Sequence, residues 1–337
     1  MKAMVLRQPV PVEKRPLAMV EVTDPMPAAG EVVVRVAVCG VCRTDLHLVE
    51  GDLPTRRSPL IPGHQVVGRV SAVGPQCQRF QVGDRVGVAW LHRTCGACEF
   101  CACGAENLCT KGEFTGWTVH GGFTELVTVG EDFAYQLPEG FDDRQAAPLL
   151  CAGVIGYRAL RLCGVQPGQR LGFYGFGSSA HIGIQVARHW GCEVYAFTRS
   201  ERNQRLARDL GAGWAGDALQ GSPTRLHAAV IFAPAGELVP VALEALERRG
   251  TVALAGIHMS PIPALNYTKH LYYERAVRSV ANATRKDAEE LLALAAQIPI
   301  QTTTCENPLE QANEALLDLK TGRLTGTGVL TCPQITG

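Results

Sequence analysis

The chain has 337 residues with 32 basic and 32 acidic side chains, which leaves no formal net charge at pH 7. At roughly 150 residues per domain this length suggests two domains, and the balanced charge excludes general attraction to nucleic acid or an anionic membrane. A hydrophobic share of 46% excludes a disordered chain, and 13 cysteines are too few for a disulfide scaffold.

We expect no secretory signal at the beginning of the chain. The first residues, MKAMVLRQPVPVEKRP, lack the apolar core of a secretory signal. No apolar run reaches the roughly 18–20 residues that span a bilayer. We therefore predict a cytoplasmic protein without a membrane partner, in a reducing compartment where clustered cysteines usually bind metal or react.

The first part of the chain is rich in β-like runs. Short segments dominated by Val, Ile and Thr alternate with turns, which is typical of a β-barrel or sandwich. These runs cover 31–38, 65–73, 84–88 and 123–129. The longest irregular stretch, 91–117, holds five cysteines, and a loop of that length needs an organiser.

From about residue 151 the pattern changes to alternating strands and helices. Strands are predicted at 171–174, 193–197, 228–233 and 251–256, with helices at 178–190, 201–210 and 237–249. This alternation indicates βαβ units on a parallel sheet. Two further helices, 286–297 and 308–321, precede a strand at 328–331, and the pattern alone assigns this tail to neither domain.

A group of cysteines with metal-ligand spacing lies inside the long irregular stretch. Cys95, Cys98, Cys101 and Cys109 form C-x2-C-x2-C-x7-C, and four thiolates make a closed, structural zinc site. Cys103 lies in the same loop, so spacing does not force the third ligand. An iron–sulfur cluster and unliganded thiols are the alternatives. The loop lacks the basic, aromatic-rich surroundings of a nucleic-acid zinc knuckle.

A second set of metal-binding residue types is scattered along the chain. The segment 39–47 brings two cysteines, a hydroxyl, an acid and a histidine together, while His64 and Cys151 stand apart. Taken alone, Cys39 and Cys42 are also compatible with a redox pair. A lone histidine beside glycine is more often structural than a ligand.

The segment 171–180 has the pattern of a dinucleotide-binding turn. Gly175, Gly177 and Ala180 form G-x-G-x-x-A between a predicted strand and a predicted helix. The first glycine permits the tight turn, the second admits a pyrophosphate, and the small third residue allows close packing. The helix that begins near Ser178 would face the phosphates with its N-terminus.

The next strand ends without the acidic residue that usually binds the ribose of NAD. Thr198 and Arg199 follow it instead. Because an acid repels a 2′-phosphate and an arginine attracts one, we predict NADP(H) in preference to NAD(H). If Arg199 is only a solvated surface charge, either cofactor would bind.

The motifs together resemble one family. Cys42-Arg43-Thr44-Asp45-x-His47, Gly63-His64-x3-Gly68-x5-Gly74, the four-cysteine loop and LLCAG at 149–153 follow in order over nearly the whole length. The chain thus resembles the zinc-dependent alcohol dehydrogenases of the medium-chain dehydrogenase/reductase family. The resemblance implies an α/β protein. A GroES-like β-barrel catalytic domain at 1–150, completed by 286–337, would join a Rossmann cofactor domain with a doubly wound parallel sheet at 151–285.

The resemblance also implies a catalytic metal site. Cys42, His64 and Cys151 would be the ligands of a second zinc ion, giving two ions per chain and leaving a fourth coordination position open. Asp45 would orient the ligand imidazole. Gln65 stands where the family usually has glutamate, so one negative charge near the metal is missing.

The implied reaction is reversible hydride transfer between a primary or secondary alcohol and a nicotinamide. Thr44 would relay the alcohol proton, and His47 would pass the charge to solvent through the cofactor ribose. Arg43 would contact the pyrophosphate. A wide substrate pocket would be lined by Leu53, Trp90 and Trp117. Packing in the core explains the two tryptophans equally well.

Two other functions are weighed against this one. A zinc-independent enoyl or quinone reductase of the same fold would not need the three ligands. A non-enzymatic zinc-binding redox sensor would not need the dinucleotide turn. The expected partners are small-molecule alcohols or aldehydes, with no nucleic acid, and by analogy the chain forms a homodimer or homotetramer.

Overall fold

The computed structural model describes residues 1–332, and the chain divides into two units that are described separately below. Unit 1 contains Met1–Cys151, Thr284–Gln297 and the chain from Gln301 onward, and unit 2 contains Ala152–Ala283 with Ile298–Ile300. The last five residues of the predicted segment 286–337, at 333–337, lie outside the described residues.

The N-terminal part of unit 1 is mostly β-structure. Its strands are β1 (Lys2–Leu6), β2 (Leu17–Glu21), β3 (Glu31–Val41), β4 (Gln65–Val73), β5 (Arg85–Val88), β6 (Leu91–Arg93), β7 (Glu113–Phe114), β8 (Leu126–Gly130) and β9 (Ala134–Gln136). Its α-helices are α1 (Arg43–Glu50), α2 (Glu99–Ala102) and α3 (Asp143–Ala146). Short 3-10 helices occur at Val12–Lys14, Glu106–Leu108, Glu131–Phe133 and Ala147–Leu150.

Unit 2 alternates helices with strands. Its strands are β10 (Arg170–Tyr174), β11 (Glu193–Phe197), β12 (Trp214–Gly216), β13 (Leu226–Ile231), β14 (Leu246–Leu254) and β15 (Ala276–Ser279). Its helices are α4 (Ala152–Cys163), α5 (Ser178–His189), α6 (Glu201–Asp209), α7 (Leu238–Ala245) and α8 (Tyr267–His270), with a 3-10 helix at Ala218–Gln220.

The C-terminal part of the chain returns to unit 1. It contains α9 (Arg285–Ala295), β16 (Thr304–Pro308), a 3-10 helix (Leu309–Gln311), α10 (Ala312–Thr321) and β17 (Thr327–Thr331). Strand β17 pairs antiparallel with β3, with Thr331 opposite Val38 and Gly328 opposite Val41. The tail therefore supplies strands to the sheet that the first part of the chain begins.

The main sheet of unit 1 has seven strands built around β3. The order is β16-β17-β3-β4-β5-β9, and β8 also pairs with β3. Strand β3 is rich in β-branched residues (EVVVRVAVCGV) and is buried along most of its length, as expected for a strand paired on both edges. A Cβ on Gly68 of β4 would lie 2.1 Å from the carbonyl oxygen of Arg35, so the close approach of β3 and β4 requires glycine there.

The sheet of unit 2 is parallel. Its order is β12-β11-β10-β13-β14-β15, and every pairing within it is parallel. Numbered within the unit, the strands follow the order 3-2-1-4-5-6 of a Rossmann dinucleotide-binding fold. Tyr174, Phe197, Ile231 and Val252 are among the buried residues of its core.

Several segments differ from the sequence-based prediction, and two of them show why. The helix predicted at 237–249 ends at Ala245, and Leu246–Leu254 is a strand. Leu246 is fully buried and Arg249 has a φ of 65°, so burial and a local turn override a helical pattern there. Helix α4 was not predicted, because glycines such as Gly156 lower helix propensity. A Cβ on Gly156 would lie 2.9 Å from the Ser179 carbonyl oxygen in α5, so close packing explains this glycine.

One helical stretch of the described residues is long and apolar enough to cross a membrane. It covers Asp143–Cys163, and 72% of its most apolar window is buried inside the protein. A buried apolar helix of this kind is typical of a protein core.

Candidate active site

Helix α1 and its N-cap Cys42 carry five of the predicted site residues, and the local hydrogen bonds fix where the helix begins. The backbone N–H of Cys42 donates to Oδ2 of Asp45 at 2.9 Å, and the N–H of Thr44 donates to Sγ of Cys42 at 3.3 Å. These bonds satisfy N–H groups that a helix start otherwise leaves unpaired. Cys42, Thr44, Asp45 and His47 therefore occupy defined positions around the first turns.

Three predicted metal ligands converge next to this helix. Nε2 of His64 lies 3.3 Å from Sγ of Cys42 and 3.4 Å from Sγ of Cys151, and the three ligand atoms all lie within 4.8 Å of one another. Zinc bonds of about 2.0–2.3 Å in a tetrahedron give sulfur–nitrogen distances of about 3.6 Å. The residues present therefore fit a zinc ion with three protein ligands and one open position.

The charges of this cluster also suit a cation. A hydrogen bond from the Cys151 thiol holds the pKa of Cys42 well below its usual range, and the same bond raises the pKa of Cys151. Burial alone would lower the pKa of His64, but the Cys42 thiolate and Asp45 outweigh it and raise that pKa to about 10. Metal binding releases the protons of such groups.

Asp45 is buried beside His64. Its Oδ1 lies 3.2 Å from Nδ1 of His64, an ion-pair distance with an angle unsuited to a hydrogen bond, and it accepts the N–H of Gly63 at 3.2 Å. Burial is the largest influence on the Asp45 carboxyl and raises its pKa. Asp45 thus connects the start of α1 with the residue before His64.

Gln65 lies directly after His64, at the start of β4. Its side chain is buried, and neither its Oε1 nor its Nε2 has a hydrogen-bond partner among residues 1–332. A Cβ on Gly40 would lie 2.8 Å from its Oε1, so the amide packs against the backbone of β3. A neutral amide here avoids the cost of burying an unpaired carboxylate.

The four predicted cysteines of the long loop form a second cluster. Sγ of Cys95 lies 3.5 Å from that of Cys109 and 3.9 Å from that of Cys101, and Cys98 and Cys101 are 3.5 Å apart. Zinc–sulfur bonds of about 2.3 Å give tetrahedral edges of about 3.8 Å. Four thiols at these separations fit a closed zinc site.

The backbone of the loop supports thiolates at this cluster. The N–H groups of Ala97 and Cys98 lower the pKa of Cys95 to about 6. Cys103 lies outside the cluster: it is exposed, and its thiol donates to the Phe100 carbonyl oxygen at 3.5 Å. The geometry therefore singles out Cys101 rather than Cys103 as the third member, a choice that spacing left open.

Aromatic side chains line one side of the His64 cluster. Trp90 stands edge-on to His64 with ring centroids 4.9 Å apart, and it stacks on Trp117 at 5.8 Å. Phe114 contacts both tryptophans and was not predicted, because a lone phenylalanine in a cysteine-rich loop gives no signal. Leu53 is half-buried on the loop whose Pro54 carbonyl accepts the Trp117 indole N–H at 2.8 Å.

His47, at the end of α1, has a partner that the motifs did not predict. Its Nδ1 lies 2.9 Å from Oδ2 of Asp52. Gly51 directly before Asp52 has a φ of 88° and ends the helix. The motifs give no signal for this pair, because an acid after a helix-ending glycine is common at protein surfaces.

The predicted dinucleotide turn is formed within unit 2. Gly175 follows β10 with a φ of 89°, and a Cβ there would lie 2.9 Å from the Ala233 nitrogen, so glycine is required. Helix α5 begins at Ser178 after Gly177 without a side-chain cap, and a helix N-terminus is an environment that favours a phosphate. Ala180 is buried.

The two arginines predicted to contact the cofactor lie at exposed positions of their own units. Arg199 follows β11 and is exposed, whereas Thr198 is half-buried and its N–H donates to the Gly216 carbonyl oxygen at 2.8 Å. Arg43 is the exposed first residue of α1 in unit 1.

Comparison with known proteins agrees with this arrangement. Residues 28–139 match the family model of the alcohol dehydrogenase GroES-like domain, and residues 180–297 match that of the zinc-binding dehydrogenases. A probable alcohol dehydrogenase, AdhA, of Mycobacterium tuberculosis is 52% identical over 335 residues, covering 98% of this chain and 97% of that protein. The chain belongs to the zinc-dependent alcohol dehydrogenases of the medium-chain dehydrogenase/reductase family.

This alcohol dehydrogenase is also similar to a second relative and to a solved structure. An alcohol dehydrogenase of Geobacillus stearothermophilus is 36% identical over 339 residues, covering 98% of this chain and 99% of that one. The solved structure of a cinnamyl alcohol dehydrogenase from Sorghum bicolor superposes with a TM-score of 0.89 at 25% identity, covering 98% and 97% of the two chains.

These matches confirm the predicted family and fold class. The protein is an NAD(P)-dependent alcohol dehydrogenase of the zinc-binding type, with a GroES-like domain and a Rossmann-like parallel sheet. The two alternatives, a zinc-independent enoyl or quinone reductase and a non-enzymatic redox sensor, are not favoured.

Proposed function

We propose that this dehydrogenase interconverts primary or secondary alcohols and their aldehydes or ketones, with NADP(H) preferred to NAD(H) and two zinc ions per chain. The observation that carries the proposal is the convergence of the ligand atoms of Cys42, His64 and Cys151 within 4.8 Å. We also propose a cytoplasmic homodimer or homotetramer. None of the 13 cysteines forms a disulfide, which suits a reducing compartment.

The two ligand groups have different proposed tasks. Cys95, Cys98, Cys101 and Cys109 would hold a structural ion, because four thiolates leave no position for a substrate. Cys42, His64 and Cys151 would hold the catalytic ion. Zinc in such a three-ligand site supplies Lewis-acid polarisation of an alcohol or carbonyl oxygen.

Thr44 and His47 are the proposed proton carriers. They are three residues apart on α1, so their side chains share one face of the helix. The Thr44 Oγ1 hydroxyl accepts the alcohol proton while it donates its own, because a hydroxyl relays a proton without holding it. The His47 imidazole, whose side chain is 18% exposed, holds the proton that leaves towards solvent.

Leu53, Trp90 and Trp117 are proposed to contact the substrate. Trp90 already contacts the ligand His64, so a substrate oxygen near that histidine would bring its carbon chain to the stacked indoles. Flat apolar surfaces of this kind favour aromatic or allylic alcohols over short polar ones.

The cofactor preference is proposed from the end of β11. Replacing Arg199 by glutamate is expected to weaken NADPH binding by about 10- to 100-fold, because a charge-assisted hydrogen bond to the 2′-phosphate is lost and repulsion replaces it. NADH binding would change much less. Dissociation constants of both cofactors, measured by fluorescence titration, test this.

Arg205→Glu is the matched control for this charge reversal, since Arg205 is exposed on the following helix and pairs with Glu201. It is expected to leave the NADPH-to-NADH ratio unchanged. Tighter binding of NADH than of NADPH by the natural sequence would contradict the proposed preference.

Replacing Thr44 by valine is expected to slow alcohol oxidation by about a hundredfold at unchanged zinc content, because the proton relay is lost while no ligand is touched. Thr44→Ser keeps a hydroxyl and should retain most of the activity. Turnover by the valine variant close to that of the natural sequence would remove Thr44 from the relay.

The overall proposal is tested with a panel of aliphatic, allylic and aromatic alcohols and aldehydes, with each reaction read by nicotinamide absorbance. Zinc is measured by mass spectrometry on the same preparation, and mass by light scattering. We expect NADP-dependent turnover and two zinc ions per chain. Failure to oxidise any alcohol, or one ion per chain, would contradict the proposal.

A further inference from the structure

We infer that Asp52 is a positioning residue that fixes the orientation and tautomer of His47, an inference that rests on the proposed relay. Oδ2 of Asp52 lies 2.9 Å from Nδ1 of His47. The Asp52 side chain is 55% exposed and that of His47 is 18% exposed. An exposed carboxylate therefore contacts a mostly buried imidazole. The pair lies wholly within unit 1.

The backbone turn after α1 brings Asp52 back beside the helix. The N–H of Gly51 donates to the carbonyl oxygens of His47 and Leu48 at 3.1 and 3.3 Å, and the N–H of Leu53 donates to that of His47 at 3.0 Å. The left-handed conformation of Gly51, with a φ of 88°, permits this reversal. Asp52 is thus flanked by two residues whose N–H groups bind the same carbonyl oxygen.

The far side of the loop is also anchored. The indole N–H of Trp117 donates to the Pro54 carbonyl oxygen at 2.8 Å, and the Arg56 guanidinium lies 5.6 Å from the centre of the Trp117 ring. These contacts hold the segment that follows Asp52. An exposed ion pair normally contributes little to the stability of a protein. The backbone on both sides of Asp52 is anchored, however, so its carboxylate keeps a fixed direction towards His47.

Neighbouring acids are already engaged elsewhere. Asp45 accepts N–H groups of Cys42 and Gly63. Glu50 accepts the N–H of Val12 and the Lys320 ammonium group. Asp52 is therefore the acid of this helix and turn that contacts the His47 ring.

The contact selects one form of the neutral imidazole. A carboxylate has only acceptor atoms, so Nδ1 of His47 must carry the hydrogen between them. Nε2 is then the ring atom that can accept a proton from the relay. Without Asp52, the Nδ1–H form loses the carboxylate that favours it, and a larger part of the enzyme presents an N–H where an acceptor is needed.

A double-mutant cycle on the complete zinc-loaded enzyme tests this. Asp52→Ala is expected to lower kcat by about tenfold with little change in KM, because proton transfer is misaligned while binding is intact. In the His47→Gln background the same change should alter kcat by less than about twofold. Equal factors in both backgrounds would overturn the inference.

A spectroscopic measurement decides the same point without activity. In protein labelled with ¹⁵N-histidine, the His47 signals, identified by their loss in His47→Gln, should show a hydrogen on Nδ1. Asp52→Ala should shift them towards a mixture of tautomers, whereas Asp132→Asn, a change at an exposed acid elsewhere in unit 1, should not. An unchanged Nδ1–H form in Asp52→Ala would overturn the inference. If the natural enzyme oxidises no alcohol, the proposed function fails, and these signals still decide whether Asp52 orients His47.

Discussion

Replacing Cys151 by alanine is expected to remove one of the two proposed zinc ions and to lower alcohol oxidation by at least about a thousandfold. The reason is the geometry of the three-ligand site, where Sγ of Cys151 lies 3.4 Å from Nε2 of His64. Two remaining ligands bind zinc poorly, and several kcal/mol of charge stabilisation in the transition state depend on the ion.

Zinc content and turnover of the purified variant provide the measurement. Cys305→Ala is the matched control, because Cys305 is a half-buried cysteine of β16 that belongs to neither ligand cluster. It should retain both ions and full turnover. Alcohol oxidation by the Cys151 variant at a rate close to that of the natural sequence would reject a catalytic zinc ion at this site.

Replacing Cys109 by alanine is expected to remove the other ion and to lower the Tm by about 10 °C, with most turnover retained at moderate temperature. The loop between β6 and β7 contains only the short helix α2 and one 3-10 turn, so the clustered thiols organise it. Glu106 in that turn accepts the backbone N–H of Arg285 at 3.0 Å. Release of the loop would therefore also disturb the start of α9.

Cys103→Ala is the control within the same loop. Its thiol is exposed and lies outside the cluster, so neither zinc content nor Tm should change. Thermal unfolding and metal analysis of both variants test the ligand set. A Cys103 variant that loses an ion, or a Cys109 variant that keeps two, would show that the four ligands are wrongly assigned.

Much of the fold was predictable because strong local patterns carried it. The strand predicted at 65–73 is β4, and that at 193–197 is β11. β-Branched runs between turns have few alternatives. The Gly175 turn was also readable, since a positive φ close to another backbone segment restricts the residue type.

The features that the sequence did not predict depend on contacts between segments that are distant in the chain. Leu246 continues a helical pattern but is buried in the sheet as part of β14, so tertiary packing decides its conformation. Spacing could not choose between Cys101 and Cys103, because two residues of backbone reverse the direction of a thiol in a turn. Asp52 was missed because an acid after a helix-ending glycine resembles an ordinary surface residue.

The discontinuity of unit 1 has a consequence for synthesis. Strand β17 covers the edge of β3 at residues 38–41, yet it is translated about 290 residues later, or roughly 15–60 s at typical bacterial-to-eukaryotic elongation rates. During that interval the nascent chain presents an apolar, unpaired strand edge, which is prone to intermolecular pairing. Unit 2 has by then emerged almost entirely from the ribosome, so it can complete its sheet before the unit that begins the chain.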